Sequence, residues 1–418
     1  MATATKAMAG RQDGRWIKSL IAVVALLSAL PTFRRLPAQG DPYRARALRI
    51  LRTTALIDGH NDIPDALRER GGLDSVDLAV SQPLLHTDLA RLRAGGVGAQ
   101  FWAAYVPVTT MDSGTRPAVY ALEQIDLVHR VCRRYPAVFA AARTAADVER
   151  NFKAGRISCL IGIEGGHAIE NSLGALRMFS QLGVGYMTLT HNRTLHWADA
   201  ATDSARHDGL TAFGEAVVRE MNRLGMLVDL SHVSDATMID ALRVTRAPVI
   251  YSHSSARALA NHPRDVPDSI LRLMTGNGGV VMVNFNPPFV SEEVRMADAE
   301  RAARIRALRQ AGLDTAAVRD SARAWAAAAP RATLRQVADH LDHIRRVAGA
   351  DHVGLGSDFD GISTVPAGLE DVSKFPDLIA ELLRRGWSEG DVKKVVGLNV
   401  LRVMREAERV ARELQGGR

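Results

Sequence analysis

The sequence predicts a (β/α)8 barrel of the TIM type, and three observations predict it. From about residue 50 onward the chain repeats one unit: an apolar run rich in β-branched residues, a polar tip, then a longer amphipathic segment. The runs are apolar throughout, as strands buried on both faces of a parallel sheet must be. The polar tips carry ionisable residues, and such barrels build their active sites at the C-terminal ends of their strands. A chain of 418 residues suits one barrel with insertions, since this fold runs from about 200 to over 400 residues.

Each element can be justified in order. Residues 1–40 hold six basic residues against Asp13 alone, so they account for most of the net charge of +7. They also contain the apolar stretch Leu20 to Leu30, which has the length of a signal h-region and is short for a membrane span of about 20 residues. An exported chain, periplasmic or secreted, is expected, with Ala38 before a cleavage point; the alternative is an uncleaved N-terminal membrane anchor. Residues 41–418 then form the barrel domain. Its eight strands are expected in "TALIDGHND", "GGVGAQFWAAYVP", "ISCLIGIEGGH", "GVGYMTLTHN", "GMLVDLSHVS", "APVIYSHSS", "GGVVMVNFN" and "HVGLGSDFDG". Helices are expected over Ala118 to Tyr135 and Leu334 to Val347. The stretch 287–330 is rich in Ala, Arg and Glu at helical period and reads as a helical insertion after the seventh strand, over the barrel mouth. The last helix begins after Trp387, with Ser388 and Asp391 in capping-box positions. Cys132 falls in an expected helix and Cys159 in an expected strand, so both are read as free, buried thiols.

Composition narrows the classes. Hydrophobic residues make up 47% and charged residues 24%, which marks a globular chain. Beyond residue 40 the charge is nearly balanced and no basic stripe interleaves with aromatics, so no nucleic-acid partner is expected. No GxSxG or Walker-type glycine loop occurs, which argues against serine hydrolases and nucleotide-dependent enzymes.

The tips carry His60 and Asp62, Glu164, His191, His232, His253 and Asp358. On a strand His60 and Asp62 share one side while Asn61 faces the other; Asp58, on the side of His60, is expected to orient it, and Asn61 to secure the loop. Any one strand-end histidine is more often structural than a ligand. Six tips bearing acids or imidazoles together point to a metal site, because unpaired buried acids are expensive. Three imidazoles and two carboxylates exceed what one four-coordinate ion needs. If Glu164 bridges, His60, Asp62 and Glu164 serve one ion and Glu164, His232 and His253 a second, in the manner of two-metal hydrolases. Nitrogen and oxygen donors without thiolate suit zinc, with manganese or cobalt as alternatives. His340 and His343 lie mid-helix and read as surface or second-layer residues. His196, Asp199, Asp203 and His207 fall in a loop expected to line the mouth.

The motifs "DGHND", "IGIEGGHAIENSLGAL", "LTHN", "DLSHVS", "APVIYSHSSARAL", "RDVPD" and "GLGSDFDG" resemble, in order from about residue 50 to 405, those of the membrane (renal) dipeptidase family, zinc peptidases of the amidohydrolase-like barrels. The resemblance implies two Zn2+ per chain on the ligand sets above. It implies that His191 contacts the substrate carbonyl, that Asp358 handles the proton as base then acid, and that Arg264 binds the substrate's terminal carboxylate. It further implies small peptide substrates, tolerance of D-residues at the C-terminal position, and a homodimer. Phe289 stands where mammalian members place a tyrosine, so one hydroxyl contact is missing. Two other classes stay open: an amidohydrolase-type barrel acting on another amide or a lactone, and a non-catalytic binding protein on the same fold.

Overall fold

The computed structural model describes residues 41–416 apart from 113 and 115. The expected signal or anchor segment, residues 1–40, lies outside the described residues. Among the described residues no helix is long and apolar enough to cross a membrane.

Nine parallel strands form the sheet: β1 Leu56–Asn61, β2 Val97–Tyr105, β3 Phe139–Ala141, β4 Ile157–Glu164, β5 Val184–Thr188, β6 Leu227–Asp229, β7 Ile250–Tyr251, β8 Val280–Val283 and β9 Val353–Leu355. Eight of them close a ring in the order β2-β1-β9-β8-β7-β6-β5-β4, with β2 pairing β4 to complete it. This is the (β/α)8 barrel, and its eight strands are the eight expected runs. The extra strand, β3, lies outside the ring. It pairs with Ile157–Cys159 at the start of β4, just below the stretch from Ile161 that pairs with β5. Its sequence, FAA, lacks the β-branched residues that mark the others.

The chemistry of burial explains the layers. Outward residues such as Leu56, Trp102, Ile161 and Val281 pack under the helices. Inward residues including Ile57, Phe101, Leu160, Tyr186, Ile250 and Met282 fill the barrel. The last helix plugs that interior from below with Val400, Val403, Met404 and Ala407. It runs Glu389–Lys393, a π-helical turn Lys394–Leu398, and Asn399–Leu414, and the Ser388 hydroxyl caps it by accepting from the Asp391 amide at 3.0 Å. Extra residues in a π-turn change which side chains face the barrel. Here the turn carries Gly397, where a Cβ would stand 2.1 Å from the Ala55 carbonyl oxygen.

After β8 the chain forms a short helix Pro287–Val290 and two longer ones, Glu292–Gln310 and Thr315–Ala327. Hydroxyl and carboxylate caps at Ser291 and Asp314 start the long pair. Only Val294 and Val318 of those two helices are buried, so they sit on the surface of the domain.

One expectation needs correction here. Cys132 and Cys159 are joined as a disulfide, with their Cα atoms 6.5 Å apart. Helix Pro117–Arg134 packs across β4, and the chain returns Cys159 beneath it 27 positions after Cys132. The free-thiol reading placed each cysteine in the right element but could not see that the two elements touch.

Candidate active site

The C-terminal ends of all eight ring strands converge on one cavity of about 810 Å³. β1 delivers His60. Three steps of β1, Asp58 to Asn61, match two steps of β2, Gln100 to Trp102, so a β-bulge interrupts the strand there. The bulge breaks the two-residue alternation and turns His60 away from the side of Asp58. Asp58 therefore does not hold the His60 ring, contrary to expectation. Its carboxylate accepts instead from the Ser357 amide at 2.8 Å and the Ser357 hydroxyl at 2.6 Å, tying β1 to β9. Burial pushes the Asp58 carboxyl up to about 6, against those hydrogen bonds. Asn61 does secure a loop: its Nδ2 donates to Thr87 Oγ1 at 2.9 Å and its Oδ1 accepts from the Ile63 amide.

The His60 ring is held by Tyr186, a residue of β5. Tyr186 Oη lies 2.8 Å from His60 Nδ1 and donates to the Gly59 carbonyl at 3.2 Å. The single phenolic proton is thus committed to Gly59, and Nδ1 must carry the proton of the imidazole. Against burial, Tyr186, Asp62 and Glu164 raise the imidazole's pKa well above its ordinary value, so the proton that a cation must displace sits on Nε2. That atom is fully buried without a hydrogen-bond partner, 3.3 Å from Asp62 Oδ2 and 3.5 Å from Glu164 Oε2.

Glu164, the last residue of β4, stands between two groups. Its Oε2 faces His60, and its Oε1 lies 2.9 Å from His232 Nε2, 3.4 Å from His253 Nε2 and 3.7 Å from His191 Nε2. Burial alone would raise this carboxyl; the imidazoles around it, His60 and His191 foremost, hold it well below the usual range.

His232 and His253 follow β6 and β7. His232 Nδ1 donates to Asn192 Oδ1 at 3.0 Å. His253 Nδ1 lies 2.7 Å from Ser252 Oγ, which donates to Asp229 Oδ2 at 2.6 Å. Burial, with the Arg264 guanidinium for His232 and the His60 ring for His253, pushes both imidazoles well below their ordinary pKa. Both are neutral, and both present an Nε2 lone pair, 2.9 Å apart. Two facing lone pairs beside the Glu164 carboxylate repel unless a cation lies among them.

Asp358 follows β9 with φ of 64°, and His232 has φ of 69°; backbone strain of this kind gathers at functional sites. Asn284, just after β8, donates to Asp358 Oδ2 at 2.9 Å. Burial raises the Asp358 carboxyl, which the His60 ring and the Asn284 amide partly oppose. Arg264 is 2% exposed and lines the cavity. Its guanidinium makes two long hydrogen bonds of 3.4 Å, to Ser254 Oγ and the His253 carbonyl, and lies over the Phe289 ring at 5.3 Å. Among the described residues no carboxylate forms an ion pair with it.

A scan of family models matches residues 44–418 to the "Membrane dipeptidase (Peptidase family M19)". Dipeptidase 3 of Mus musculus is 43% identical over 385 residues, covering 90% of this chain and 69% of the relative; that of Rattus norvegicus is 42% identical, covering 90% and 70%. The chain belongs to the membrane dipeptidase family. It is a hydrolase acting on peptide bonds, and the family is one of metallopeptidases. Among solved structures, a metallopeptidase of Rhodobacter sphaeroides, liganded with a phosphinate mimic of L-Ala-D-Ala, is 27% identical at a TM-score of 0.69, covering 85% of this chain and 99% of that one. The probable dipeptidase PvdM of Pseudomonas aeruginosa shares the fold at a TM-score of 0.76 and 22% identity, covering 88% and 99%.

The residues fit the metal that this family implies. The orphaned Nε2 of His60, the facing lone pairs of His232 and His253, and the shared carboxylate of Glu164 form an oxygen and nitrogen donor set with no thiolate. Potential ligand atoms gather in three overlapping groups: His60, Glu164 and His253; Glu164, His191 and His232; His60, Asp62 and Asp358.

Of the strand-tip residues read from the sequence, Asp62, Glu164, His191, His232, His253 and Asp358 line one cavity, His60 lies fully buried beside Asp62 and Glu164, and Phe289 forms part of the cavity wall. Beyond Asn192 the loop after β5 does not line it as expected. Asp199 instead accepts from the amides of Arg206, His207 and Gly209, Asp203 from Thr194, and of residues 193–209 only Thr202 reaches the cavity. Of the two readings of His340 and His343, the surface one fails: His340 is fully buried and His343 bonds Asp268 at 2.7 Å, and neither lines the cavity. Of the 287–330 segment only Phe289 lines the cavity, so its long helices do not form the mouth. The sequence reading missed Tyr186, Asn192, Ser252 and Asn284. Asn192 adjoins His191 and Asn284 ends a strand, so the strand-tip rule could have found both. Tyr186, inside a strand, gave no such signal.

Proposed function

We propose that this chain is a binuclear zinc dipeptidase that hydrolyses the peptide bond of dipeptides bearing a free C-terminal carboxylate and accepts D-residues at the C-terminal position. The observation that carries the reading is the place of Glu164, one oxygen turned to His60 and the other to His232 and His253. His60, Asp62 and Glu164 would hold one ion, and Glu164, His232 and His253 the other. When bound, the ions polarise the scissile carbonyl and acidify water.

The chain's own residues supply the rest. Arg264, buried and ion-paired to no carboxylate among the described residues, offers a guanidinium fork to the substrate's terminal carboxylate. A phosphinate mimic of L-Ala-D-Ala is bound by the Rhodobacter sphaeroides relative, which supports both the dipeptide and the D-residue. The His191 ring, at the cavity wall, donates to the carbonyl oxygen as it gains negative charge. Asp358, its Oδ2 fixed by Asn284, takes the proton of the attacking water through its other oxygen and returns it to the leaving amine. Tyr186, Asn192 and Ser252 each hold a histidine by Nδ1 and leave Nε2 as donor. Phe289 closes the wall over Arg264 without a hydroxyl, so carboxylate recognition rests on the guanidinium. An exported chain, with residues 1–40 as signal or anchor, and a homodimer belong to the same reading; the basic and then apolar start supports export.

Metal analysis of purified protein together with a dipeptide panel tests this. Two zinc ions per chain and hydrolysis are expected, with Asp358→Asn lowering kcat and Arg264→Ala raising KM. Absence of hydrolysis with two zinc ions bound overturns the reading.

A further inference from the structure

The cavity is polarised across the ring. Arg264 stands after β7, and the helix Ile63–Glu69 leaves β1 on the far side, three strands away around an eight-strand ring. That helix places Asp65 and, one turn later, Glu69 in the cavity wall. Asp65 is held rigidly: Tyr120 Oη donates to its Oδ1 at 3.1 Å and Gln124 Nε2 donates to the same oxygen at 2.8 Å. Its Oδ2 has no hydrogen bond, and no cationic side chain forms an ion pair with Asp65 among the described residues. Among the described residues Glu69 pairs only with Arg70, 3.9 Å away, which also lines the cavity but turns a guanidinium nitrogen to the Ala66 carbonyl at 2.8 Å. Burial raises the Asp65 carboxyl above its ordinary range, with Glu69 and Glu164 adding to that and the Tyr120 and Gln124 bonds opposing it. A carboxylate fixed in place and short of positive charge is ready for a cation brought by the substrate.

The opposite pole has the opposite deficit, a buried guanidinium that feels Asp358, Glu164 and Asp265 but forms no ion pair among the described residues. Between the two poles lies the Glu164 cluster, where the scissile bond would sit. The two deficits match a zwitterion, with its anion toward Arg264 and its cation toward Asp65. From this juxtaposition we propose that Asp65 selects an ammonium group on the substrate's amino-terminal residue. The proposal rests on the dipeptidase reading and assigns its amino side. The ammonium is either the α-amino group or a basic side chain, chemistry that Asp65 meets in the same way. Tyr120 and Gln124 act as positioning residues for it.

Asp65→Asn keeps the acceptor oxygen for Tyr120 and Gln124 while removing the charge. Metal-loaded wild type and variant are assayed on a dipeptide and its N-acetyl form, and on a pair with lysine or norleucine in the amino-terminal position. Wild type is expected to prefer the charged member of at least one pair. The variant should lose that preference by roughly 10-fold in kcat/KM, chiefly through KM, as loss of a charge-assisted hydrogen bond implies. Collapse on the acetyl pair identifies the α-ammonium; collapse on the lysine pair identifies the side chain. Unchanged preferences in both pairs overturn the proposal while leaving the dipeptidase reading intact. A wild type that cleaves no dipeptide sinks that reading instead. Asp65→Ser, with the same comparisons, serves if the asparagine variant does not fold.

Discussion

His340 should make the fold sensitive to acid through one titration that can be isolated. The residue sits on helix Leu334–Ala348 and is fully buried. Its Nδ1 accepts from the Ala256 amide at 3.0 Å, and its Nε2 donates to the Val290 carbonyl at 3.0 Å. Only the neutral ring can do both, because a protonated Nδ1 would face a second donor. Burial pushes its pKa down to about 4, against about 6.5 in an unfolded chain. Between those values the unfolded state binds a proton that the folded state refuses. Stability from this group is complete above about pH 6.5 and is lost as pH falls toward 4. At roughly 1.4 kcal/mol per pH unit, the loss is about 2 kcal/mol at pH 5 and about 3 kcal/mol at pH 4. The substitution His340→Gln removes the titration and leaves one buried partner poorly paired, which costs about 1–3 kcal/mol at pH 7. Urea unfolding of both proteins should therefore show wild type ahead by about 2 kcal/mol at pH 7 and the two nearly equal at pH 5. Titrations shared by both proteins cancel in the difference. An equal gap at the two pH values would refute the argument.

Two further outcomes follow from contacts outside the reacting groups. Tyr186→Phe removes the hydroxyl between His60 Nδ1 and the Gly59 carbonyl, so metal retention against a chelator should weaken by roughly 10- to 100-fold, as loss of an outer-layer partner does; unchanged retention would show that Tyr186 does not set the His60 donor. Replacing Cys132 and Cys159 together by alanine opens a loop of 27 residues, which should lower stability by about 3 kcal/mol. Unfolding midpoints of the double variant that match wild type would show that the bridge adds nothing.

What could be read from the sequence and what could not divide along physical lines. Each ring strand is an apolar run whose burial on two faces needs no knowledge of its neighbours, and the ionisable tips inherit their place from the strands. β3 escapes because three residues, two of them alanine, carry no periodic signal. The bulge in β1 escapes because an extra residue is visible only against the partner strand, and with it went the expected tie between Asp58 and His60. The disulfide, His340 and Tyr186 share one cause: each acts through a contact between segments far apart in the chain. Tyr186 shows how far this extends. Its ring fits inside the barrel because position 162, opposite it on β4, is glycine, where a Cβ would come within 2.0 Å of the ring. A glycine in one strand, a tyrosine in the next and a carbonyl in β1 together decide which nitrogen of His60 is free. The ligands are legible one by one, but the arrangement that makes them ligands is a property of three strands meeting, and only the folded barrel holds it.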